Sequence, residues 1–292
     1  MGLPEALLRE KIRSFLEEDI SLGDITTELI VPAGVRVRAK IIAKEHMVIA
    51  GLYELKVIFD MINAKATYFV NEGDEVRPNT VIAEVEGDGR SILAVERTAL
   101  NIFSRMCGVA TATRRLVKKL RDAGLNVRVA ATRKTAPGLR YFDKRAVIIG
   151  GGDPHRLGLD DQILIKDNHI VVAGGVEEAL KRARSSASFS KKIEVEVRDA
   201  NEAIKAAKLG AEIIMLDNMT VEEASMVIET LEKIGLRDKV LIEISGGINE
   251  ENIVSYGKLM PDIISVGELT HSVKSADVSL EVVEVISAQR AP

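Results

Sequence analysis

Polar side chains capable of chemistry follow short apolar runs in the second half of this 292-residue sequence. The runs lie near residues 127–131, 162–166, 192–197, 212–217, 240–244 and 262–266. Charged residues, His or a Gly-rich turn follow almost every run. Charged groups within a parallel sheet are costly when they are unpaired. Their recurrence at the same end of successive runs therefore predicts a functional site rather than a set of internal ion pairs.

Five of these residues are cations that together suit a multiply anionic ligand. Arg133 and Lys134 follow the first run, His155 and Arg156 precede the second, and Lys166 ends it. Arginine offers a planar fork that matches carboxylate or phosphate groups. The surrounding segment, 128–166, carries eight Lys or Arg against four Asp, in a chain whose formal charge is −4. The remaining cations of this segment that we expect at the surface are Arg140, Lys144 and Arg145.

Two acidic residues and two small-residue turns complete the set. Glu196 and Asp217 are hard oxygen ligands that suit a Mg²⁺ ion which keeps waters and also binds substrate phosphates. Glu194 faces the same side of its run as Glu196, which leaves open which of the two would meet the metal. The turns Ser245–Gly247 and Val266–Gly267 follow the last two runs, and such turns let backbone N–H groups approach a phosphate. The combination predicts transfer chemistry on a phosphorylated sugar.

The elements that must position these residues alternate between strand and helix. Helical patterns separate several of the apolar runs, with a spacing of roughly 20–35 residues per unit that is typical of parallel βαβ units. The sequence has no dominant Gly-rich turn, so the alternation of strands and helices favours an α/β barrel. In such barrels the catalytic residues lie at the ends of the strands. The predicted helices of this half are 177–185, 199–209, 221–234 and 250–258.

The first part of the chain has a different pattern. A helix is predicted over 5–18, an alternating strand over 35–44 and short strands within 66–86, followed by a long helix over 94–121. This is an α+β unit with antiparallel sheet. The segment 66–86 superficially resembles a lipoyl- or biotin-carrier domain, but it contains no Lys to modify.

Composition excludes several other classes. The 46% hydrophobic and 29% charged residues are typical of a globular protein. The single cysteine, Cys107, excludes an intrachain disulfide framework, and its place on the apolar face of the 94–121 helix predicts a core role. No apolar run reaches the roughly 18 residues that span a bilayer and no signal-peptide pattern is present, so we expect a cytoplasmic protein without membrane contact. Aromatic residues at 3%, with no Trp, disfavour nucleic-acid binding.

An ordered series of motifs runs nearly the whole length of the chain. It comprises EEDISLGDITT, ERTALNIFSRMCGVAT at 96–111, ATRKTAPGLR at 131–140, GGGDPHRLGLDDQILIKDNH at 150–169, IEVEV at 193–197, IIMLDNM at 213–219, SGGI and ISVGELTHS. In this series the chain resembles the quinolinate phosphoribosyltransferase family, the decarboxylating nicotinate-nucleotide pyrophosphorylases of NAD biosynthesis.

The resemblance implies a fold and an assembly. An N-terminal α/β sandwich domain at 1–110 would lie beside an incomplete α/β barrel at 111–272. A C-terminal segment, 273–292, would return to the N-terminal domain as a helix. The family forms homodimers with a shared active site, in some cases assembled into hexamers.

The resemblance also implies a reaction, that of a pentosyltransferase. With Mg²⁺, quinolinate and 5-phosphoribosyl-1-pyrophosphate would give nicotinate mononucleotide, pyrophosphate and carbon dioxide. Arg133, His155, Arg156 and Lys166 would hold the quinolinate carboxylates, and Arg97 would reach in from the neighbouring subunit. Lys134, Glu196 and Asp217 would bind the pyrophosphate-bearing substrate, the last two through Mg²⁺. The expected catalytic group is Lys134, Lys166, Glu196 and Asp217, and the remaining substrate-binding residues are Thr132, Ser245, Gly246, Gly247, Val266, Gly267, Glu268 and His271.

Some points stay open at the level of sequence. Many family members have Asp where this chain has Ala131 and Asn where it has Pro154. Arg97 could instead pair with Glu96 or Asp88 in its own chain, His169 could be a supporting or a core histidine, and Glu243 could be an internal ion-pair partner. The nearest rival functions are transfer of phosphoribose to nicotinate without decarboxylation and a related protein linked to molybdate operons.

Overall fold

The structure is a computed structural model that describes residues 2–287, and the chain divides into two compact units. The first unit holds residues up to Arg114, residues 137–151 and those from Val273 onward; the second holds 115–136 and 152–272. Among the described residues, no helix has both the length and the apolar character needed to cross a bilayer. The elements in chain order are α1 Glu5–Ile20, α2 Ile25–Ile30, β1 Arg36–Ala43, β2 Met47–Val48, α3 Leu52–Met61, β3 Lys65–Tyr68, β4 Glu75–Val76, β5 Val81–Asp88, α4 Gly89–Asp122, β6 Arg128–Ala131, α5 Arg140–Gly150, β7 Ile163–Ile165, α6 Asp167–Ala173, α7 Val176–Ser186, β8 Ile193–Val197, α8 Ala200–Lys208, β9 Ile213–Asp217, α9 Val221–Lys233, a 3-10 turn Arg237–Lys239, β10 Leu241–Ser245, α10 Ile253–Gly257, β11 Ile263–Val266, α11 Glu268–His271 and β12 Val278–Ser287.

The first unit is built on an antiparallel four-stranded sheet with the strand order β12-β1-β5-β3. Burial alternates along β1, as expected for a strand with one face on the core. Helix α1 buries Leu8, Ile12 and Leu16, which recur at the helical period. The α+β character predicted for this part of the chain is therefore confirmed.

The C-terminal segment is a strand, so the prediction of a C-terminal helix is wrong. Strand β12 pairs antiparallel with β1, and Val278 lies opposite Ala43 while Leu280 lies opposite Ile41. Its sequence, VSLEVVEVIS, is rich in β-branched residues, which pack well on a pleated surface and lose χ1 freedom in a helix. The free edge of β1 then supplies hydrogen-bond partners for the strand. Residues 288–292 of the predicted segment lie outside the described residues.

Helix α5 belongs to the first unit, although the predicted boundaries assign 137–151 to the barrel domain. Two of its cations are also not ordinary surface residues, because Lys144 is fully buried and Arg145 Nε lies 2.9 Å from Glu54 Oε1. Burial raises the pKa of Glu54, and the charge of Arg145 acts against that rise. The adjacent Asp143 is buried too, and it accepts two hydrogen bonds from Arg105 on α4. Buried carboxylates are tolerated when they are paired with cations. These ion pairs join α5 to the rest of the first unit.

Cys107 lies on α4 with no exposed surface, which confirms the predicted core role. Burial raises the pKa of its thiol to about 12. Since the thiolate is the reactive form, this side chain is chemically inert at neutral pH.

The second unit contains a six-stranded parallel sheet with the strand order β6-β11-β10-β9-β8-β7. This is the order of a barrel in which β6 and β7 would close the ring. Within residues 2–287 these two strands are not paired with each other; a single parallel bridge joins Ala130 of β6 to Asp153. The predicted incomplete α/β barrel is confirmed, and its strand ends all point to one edge of the sheet.

Candidate active site

The carboxyl ends of the parallel strands bring the predicted polar residues to one edge of the second unit. In the strand register, Ala131 pairs with Val266, so the loop that begins at Thr132 lies beside Gly267. Asp217 pairs with Ser245 in the same way. Residues separated by more than a hundred positions in sequence are thereby made neighbours.

Two arginines form the cationic centre of this edge. Arg156 is 7% exposed, and its Nη1 donates to the backbone oxygen of Gln162 at 3.2 Å. Burial, and then the charge of Arg133, lowers the pKa of Arg156. The buried Nε of Arg133 has no hydrogen-bond partner among the described residues. Two neighbouring guanidinium groups with an unsatisfied donor form a site for an anion that can accept from both.

His155 precedes Arg156 in a constrained loop. Its φ is +52°, a left-handed value, and its backbone N–H donates to Asp153 Oδ1 at 2.7 Å across Pro154. Its ring Nδ1 accepts from the Arg156 backbone N–H at 2.8 Å, and its Nε2 lies 2.9 Å from Glu243 Oε2. The imidazole is therefore held from both of its nitrogens.

Two buried carboxylates lie behind His155. Glu194 and Glu243 have no exposed surface, and Gln162 Nε2 donates to Glu194 Oε2 at 2.6 Å. Burial and the neighbouring Glu243 raise the pKa of Glu194 well above its usual range. The ligand atoms of these carboxylates and His155 all lie within 4.8 Å of one another, a spacing that a metal ion could also use.

Lys166 and Glu196 form an ion pair at the ends of neighbouring strands β7 and β8. Lys166 Nζ contacts Glu196 Oε1, and the backbone N–H of Asp167 donates to Glu196 Oε2 at 3.3 Å. His169 is exposed rather than in the core, and its Nδ1 accepts from the Lys166 backbone N–H at 2.9 Å. Glu194 is held inside the sheet while Glu196 lies at the strand end, and this difference favours Glu196 as the carboxylate that meets a metal.

Asp217 and the Ser245–Gly247 turn are joined by Asn218. Asn218 Nδ2 donates to Asp217 Oδ2 at 2.7 Å, and its backbone N–H donates to the Ser245 backbone oxygen at 2.9 Å. Gly246 has φ +92°, and a Cβ on it would lie 2.6 Å from the Asn218 backbone nitrogen. Gly247 also has a positive φ, and the space beside it is open. The turn is thus a backbone surface that a phosphate can approach.

Replacing Gly246 by alanine is expected to destabilise the protein and to remove binding of the phosphoribosyl substrate. The positive φ costs about 1 kcal/mol, and the Cβ collision with backbone must displace either Asn218 or the turn. The matched control is Gly235→Ala, where φ is +71° but no atom lies within 4 Å of the added Cβ. Thermal melts and calorimetric titration with the substrate check this. Equal substrate affinity in the two variants would contradict the assignment of the turn.

Lys134, Gly267 and His271 meet at the other side of the edge. The Thr270 hydroxyl donates to the Lys134 backbone oxygen at 2.8 Å, which ties the loop after β6 to the helix after β11. A Cβ on Gly267 would lie 3.0 Å from His271 Nε2 and 3.5 Å from Lys134 Cδ. Val266 and Glu268 flank this glycine, and Thr132 Oγ1 accepts from the Lys134 backbone N–H at 3.1 Å.

Comparison with known proteins decides the family. Residues 24–107 match the profile of the quinolinate phosphoribosyl transferase N-terminal domain, and residues 109–281 match that of its C-terminal domain. The chain belongs to this family. A relative from Methanocaldococcus jannaschii, described as a probable nicotinate-nucleotide pyrophosphorylase (carboxylating), is 48% identical over 93% of this chain and 96% of its own length. The human nicotinate-nucleotide pyrophosphorylase (carboxylating) is 37% identical over 96% and 93%. The solved nicotinate-nucleotide pyrophosphorylase from Francisella tularensis has a TM-score of 0.87 at 36% identity, covering 96% of this chain and 98% of that one.

One predicted site residue lies in the other unit. Arg97 is exposed on α4 in the first unit, next to Glu96. Burial raises the pKa of Glu96, and the charge of Arg97 acts against that rise. Asp88 is the other possible partner of Arg97. It accepts hydrogen bonds from the backbone N–H and the hydroxyl of Ser91. The participation of Arg97 in a site stays a prediction.

Three residues with supporting contacts in this region have no role predicted from the sequence. Gln162 supports Glu194, Asn218 joins Asp217 to the glycine turn, and Thr270 fixes the loop that carries Lys134. Each lies within a motif of the family series. Their contacts could not be predicted, because they join residues distant in sequence or depend on the backbone conformation. Only the neighbouring position of Asn218 beside Asp217 was a usable signal.

Proposed function

We propose that this chain transfers the phosphoribosyl group of 5-phosphoribosyl-1-pyrophosphate to quinolinate, with decarboxylation, and so makes nicotinate mononucleotide for NAD biosynthesis. Pyrophosphate and carbon dioxide are the other products. The observation that carries the proposal is the two neighbouring arginines, Arg133 and Arg156, at the same strand ends as the Lys166–Glu196 ion pair, Asp217 and a glycine turn. Such a site accepts a dicarboxylate and a phosphorylated sugar together.

The donor set fits Mg²⁺. Glu196 pairs in register with Met215, so Asp217, two residues further on, faces the same side of the sheet on the adjacent strand. Two carboxylates leave coordination positions for water and phosphate oxygens, which is how Mg²⁺ is usually held. Bound there, the ion would neutralise charge on the pyrophosphate. Glu196 and Asp217 would hold it, and Asn218 would orient Asp217.

The remaining residues bind and orient the two anionic substrates. Arg133, Arg156 and Lys166 neutralise the quinolinate carboxylates, so that the ring nitrogen can approach the anomeric carbon despite the negative charge of its partner. The N–C bond forms as the bond to pyrophosphate breaks, and the ring nitrogen becomes positively charged. The electron pair of the breaking bond between the ring and the carboxylate stays on the ring carbon, where the adjacent positive nitrogen stabilises it. Carbon dioxide leaves, and the ring carbon takes up a proton.

Substrate preference tests the proposal. Pyrophosphate release is measured with quinolinate and with nicotinate as separate acceptors at equal concentration. Quinolinate is expected to be used at least about 100-fold better, because nicotinate lacks the carboxylate that the second cation pairs with. A preference for nicotinate would instead support the non-decarboxylating rival.

We also propose a homodimer with a shared active site, in which Arg97 of one subunit completes the site of its partner. Four large apolar side chains, Leu22, Ile25, Leu29 and Ile30, are exposed on α2 and the turn before it. Clusters of exposed large apolar side chains often mark interaction sites in proteins. A cytoplasmic location is supported by the single, buried cysteine.

Mixed dimers test the shared site. An Arg97→Ala chain and a Lys166→Ala chain, each inactive alone, are expected to recover about a quarter of wild-type activity after random mixing, because half the dimers are mixed and each has one intact site. Unfolding and refolding the chains together provides the mixing, and refolding each chain alone is the control. Absence of recovered activity in verified mixed dimers would contradict sharing.

A further inference from the structure

Glu243 is an acidic residue inside a buried strand, where an apolar residue is expected. It lies in the middle of β10, between Ile242 and Ile244, in a strand paired on both sides. Its side chain is buried, and its Oε1 has no hydrogen-bond partner among the described residues. A buried carboxylate is costly to keep, and an apolar residue at such a position is often neutral or stabilising. Stability therefore does not explain it.

The partner of Glu243 is His155, and the hydrogen-bond pattern fixes the ring. The Arg156 backbone N–H can only donate, so His155 Nδ1, which lies 2.8 Å away, is its acceptor and carries no proton. The ring proton is then on Nε2, which donates to Glu243 Oε2 at 2.9 Å. Glu194 Oε2 lies 3.5 Å from the same nitrogen. Both ring nitrogens are engaged within the chain, which leaves His155 no N–H for a substrate.

The same contacts lead from Glu243 to Arg156. The imidazole bridges the Glu243 carboxylate and the Arg156 backbone, in a loop already strained at His155 by its left-handed φ. The Arg156 side chain is itself largely buried, so a small displacement of its backbone moves the guanidinium relative to Arg133. Small misplacements of binding groups produce large losses in affinity or rate.

We propose, on the basis of the proposed function, that Glu243 is a positioning residue for quinolinate: it orients His155, and His155 holds Arg156 in the geometry that binds the substrate carboxylate. On this account His155 acts through Arg156 rather than as a direct ligand. The arrangement resembles the outer partners that fix the tautomer and orientation of metal-bound histidines, here applied to an anion site.

Two variants separate positioning from structural support. Glu243→Gln keeps an oxygen that accepts from His155 Nε2, whereas Glu243→Met keeps the length of the side chain without an acceptor. We expect the Met variant to raise the quinolinate Kd at least about tenfold, and the Gln variant to raise it less than about threefold. The Kd of 5-phosphoribosyl-1-pyrophosphate is expected to stay unchanged in both. Asp262→Asn is the matched control, because Asp262 accepts from the Ile242 backbone N–H at 2.8 Å near the start of β10 and, among the described residues, makes no hydrogen bond or ion pair with His155.

A second readout reports on the histidine directly. The chain has four histidines, so ¹⁵N-histidine labelling resolves the tautomer of His155 by NMR. The Nε2-protonated form is expected in the wild type and in Glu243→Gln, and its loss is expected in Glu243→Met. If the Met variant does not fold, Glu243→Asp replaces it, since it withdraws the carboxylate by one methylene and is also expected to weaken quinolinate binding.

Several outcomes would overturn the assignment. These are unchanged quinolinate binding in Glu243→Met, equal weakening of both substrates, or equal losses in the Gln and Met variants. Stoichiometric metal in the wild type that Glu243→Met removes would show that His155, Glu194 and Glu243 hold a cation instead. Failure of the wild-type protein to bind quinolinate at all would overturn the proposed function itself.

Discussion

Replacement of Arg156 by alanine is expected to raise the quinolinate Kd by about 100-fold, while the affinity for 5-phosphoribosyl-1-pyrophosphate is retained. The guanidinium is buried, and truncating one partner of a buried, hydrogen-bonded charge pair costs about 3 kcal/mol, or roughly two powers of ten in affinity. Arg156→Lys is expected to lose about tenfold, because a lysine retains the charge but not the planar fork. Calorimetric titration of each substrate separately measures both values.

The control for Arg156 is an arginine on the surface of the same unit. Arg182→Ala removes a side chain that is 67% exposed and pairs with Glu178 one turn away on α7. Exposed pairs of this kind contribute little, so its binding constants and melting temperature are expected to match the wild type. Equal losses toward both substrates in Arg156→Ala would contradict the division of labour between the cations and the carboxylates.

Glu196→Gln is expected to have opposite effects on catalysis and on quinolinate binding. The loss of a metal-binding carboxylate should lower kcat by about 100- to 1,000-fold, the scale of removing a preorganised charge at a reacting centre. In the structure, however, Glu196 also holds Lys166. A neutral glutamine releases that ammonium, so the quinolinate Kd without the second substrate is expected to fall by about threefold.

Steady-state kinetics gives kcat, and calorimetry in the absence of Mg²⁺ gives the quinolinate Kd. Glu178→Gln, which breaks only the surface pair on α7, is the matched control and should change neither value. Weaker quinolinate binding in Glu196→Gln would contradict this competition. It would show that Glu196 holds Lys166 in the position that binds quinolinate. Unchanged kcat would remove Glu196 from the proposed metal site.

The architecture of the barrel could be predicted because its signals are local. A short apolar run such as IIMLD is typical of a buried strand of a parallel sheet, and the helical patterns between the runs predict the parallel connections. The C-terminal helix was expected only from the family resemblance. The β-branched residues of 278–287 instead favour the strand that the structure shows. Helix α5 shows a different limit, since the buried Asp143 is paired with Arg105, a partner distant in sequence.

The types of residue in the site could also be predicted, but not their mutual contacts. The recurrence of cations at strand ends identified Arg133, Arg156 and Lys166, since a charge at a strand end is visible in the sequence. The contact between His155 and Glu243 joins residues 88 positions apart and depends on a left-handed φ at His155. No spacing rule encodes such a contact, and the proposed supporting role of His155 rests on it.

The most direct test of the central claim is the stoichiometry of the reaction with quinolinate labelled at the carboxyl carbon next to the ring nitrogen. With 5-phosphoribosyl-1-pyrophosphate and Mg²⁺, the account predicts one labelled carbon dioxide and one pyrophosphate for each nicotinate mononucleotide formed. Both should be lost together in Arg156→Ala at low quinolinate. Pyrophosphate release with the label retained in the nucleotide, or no turnover of quinolinate at all, would contradict it.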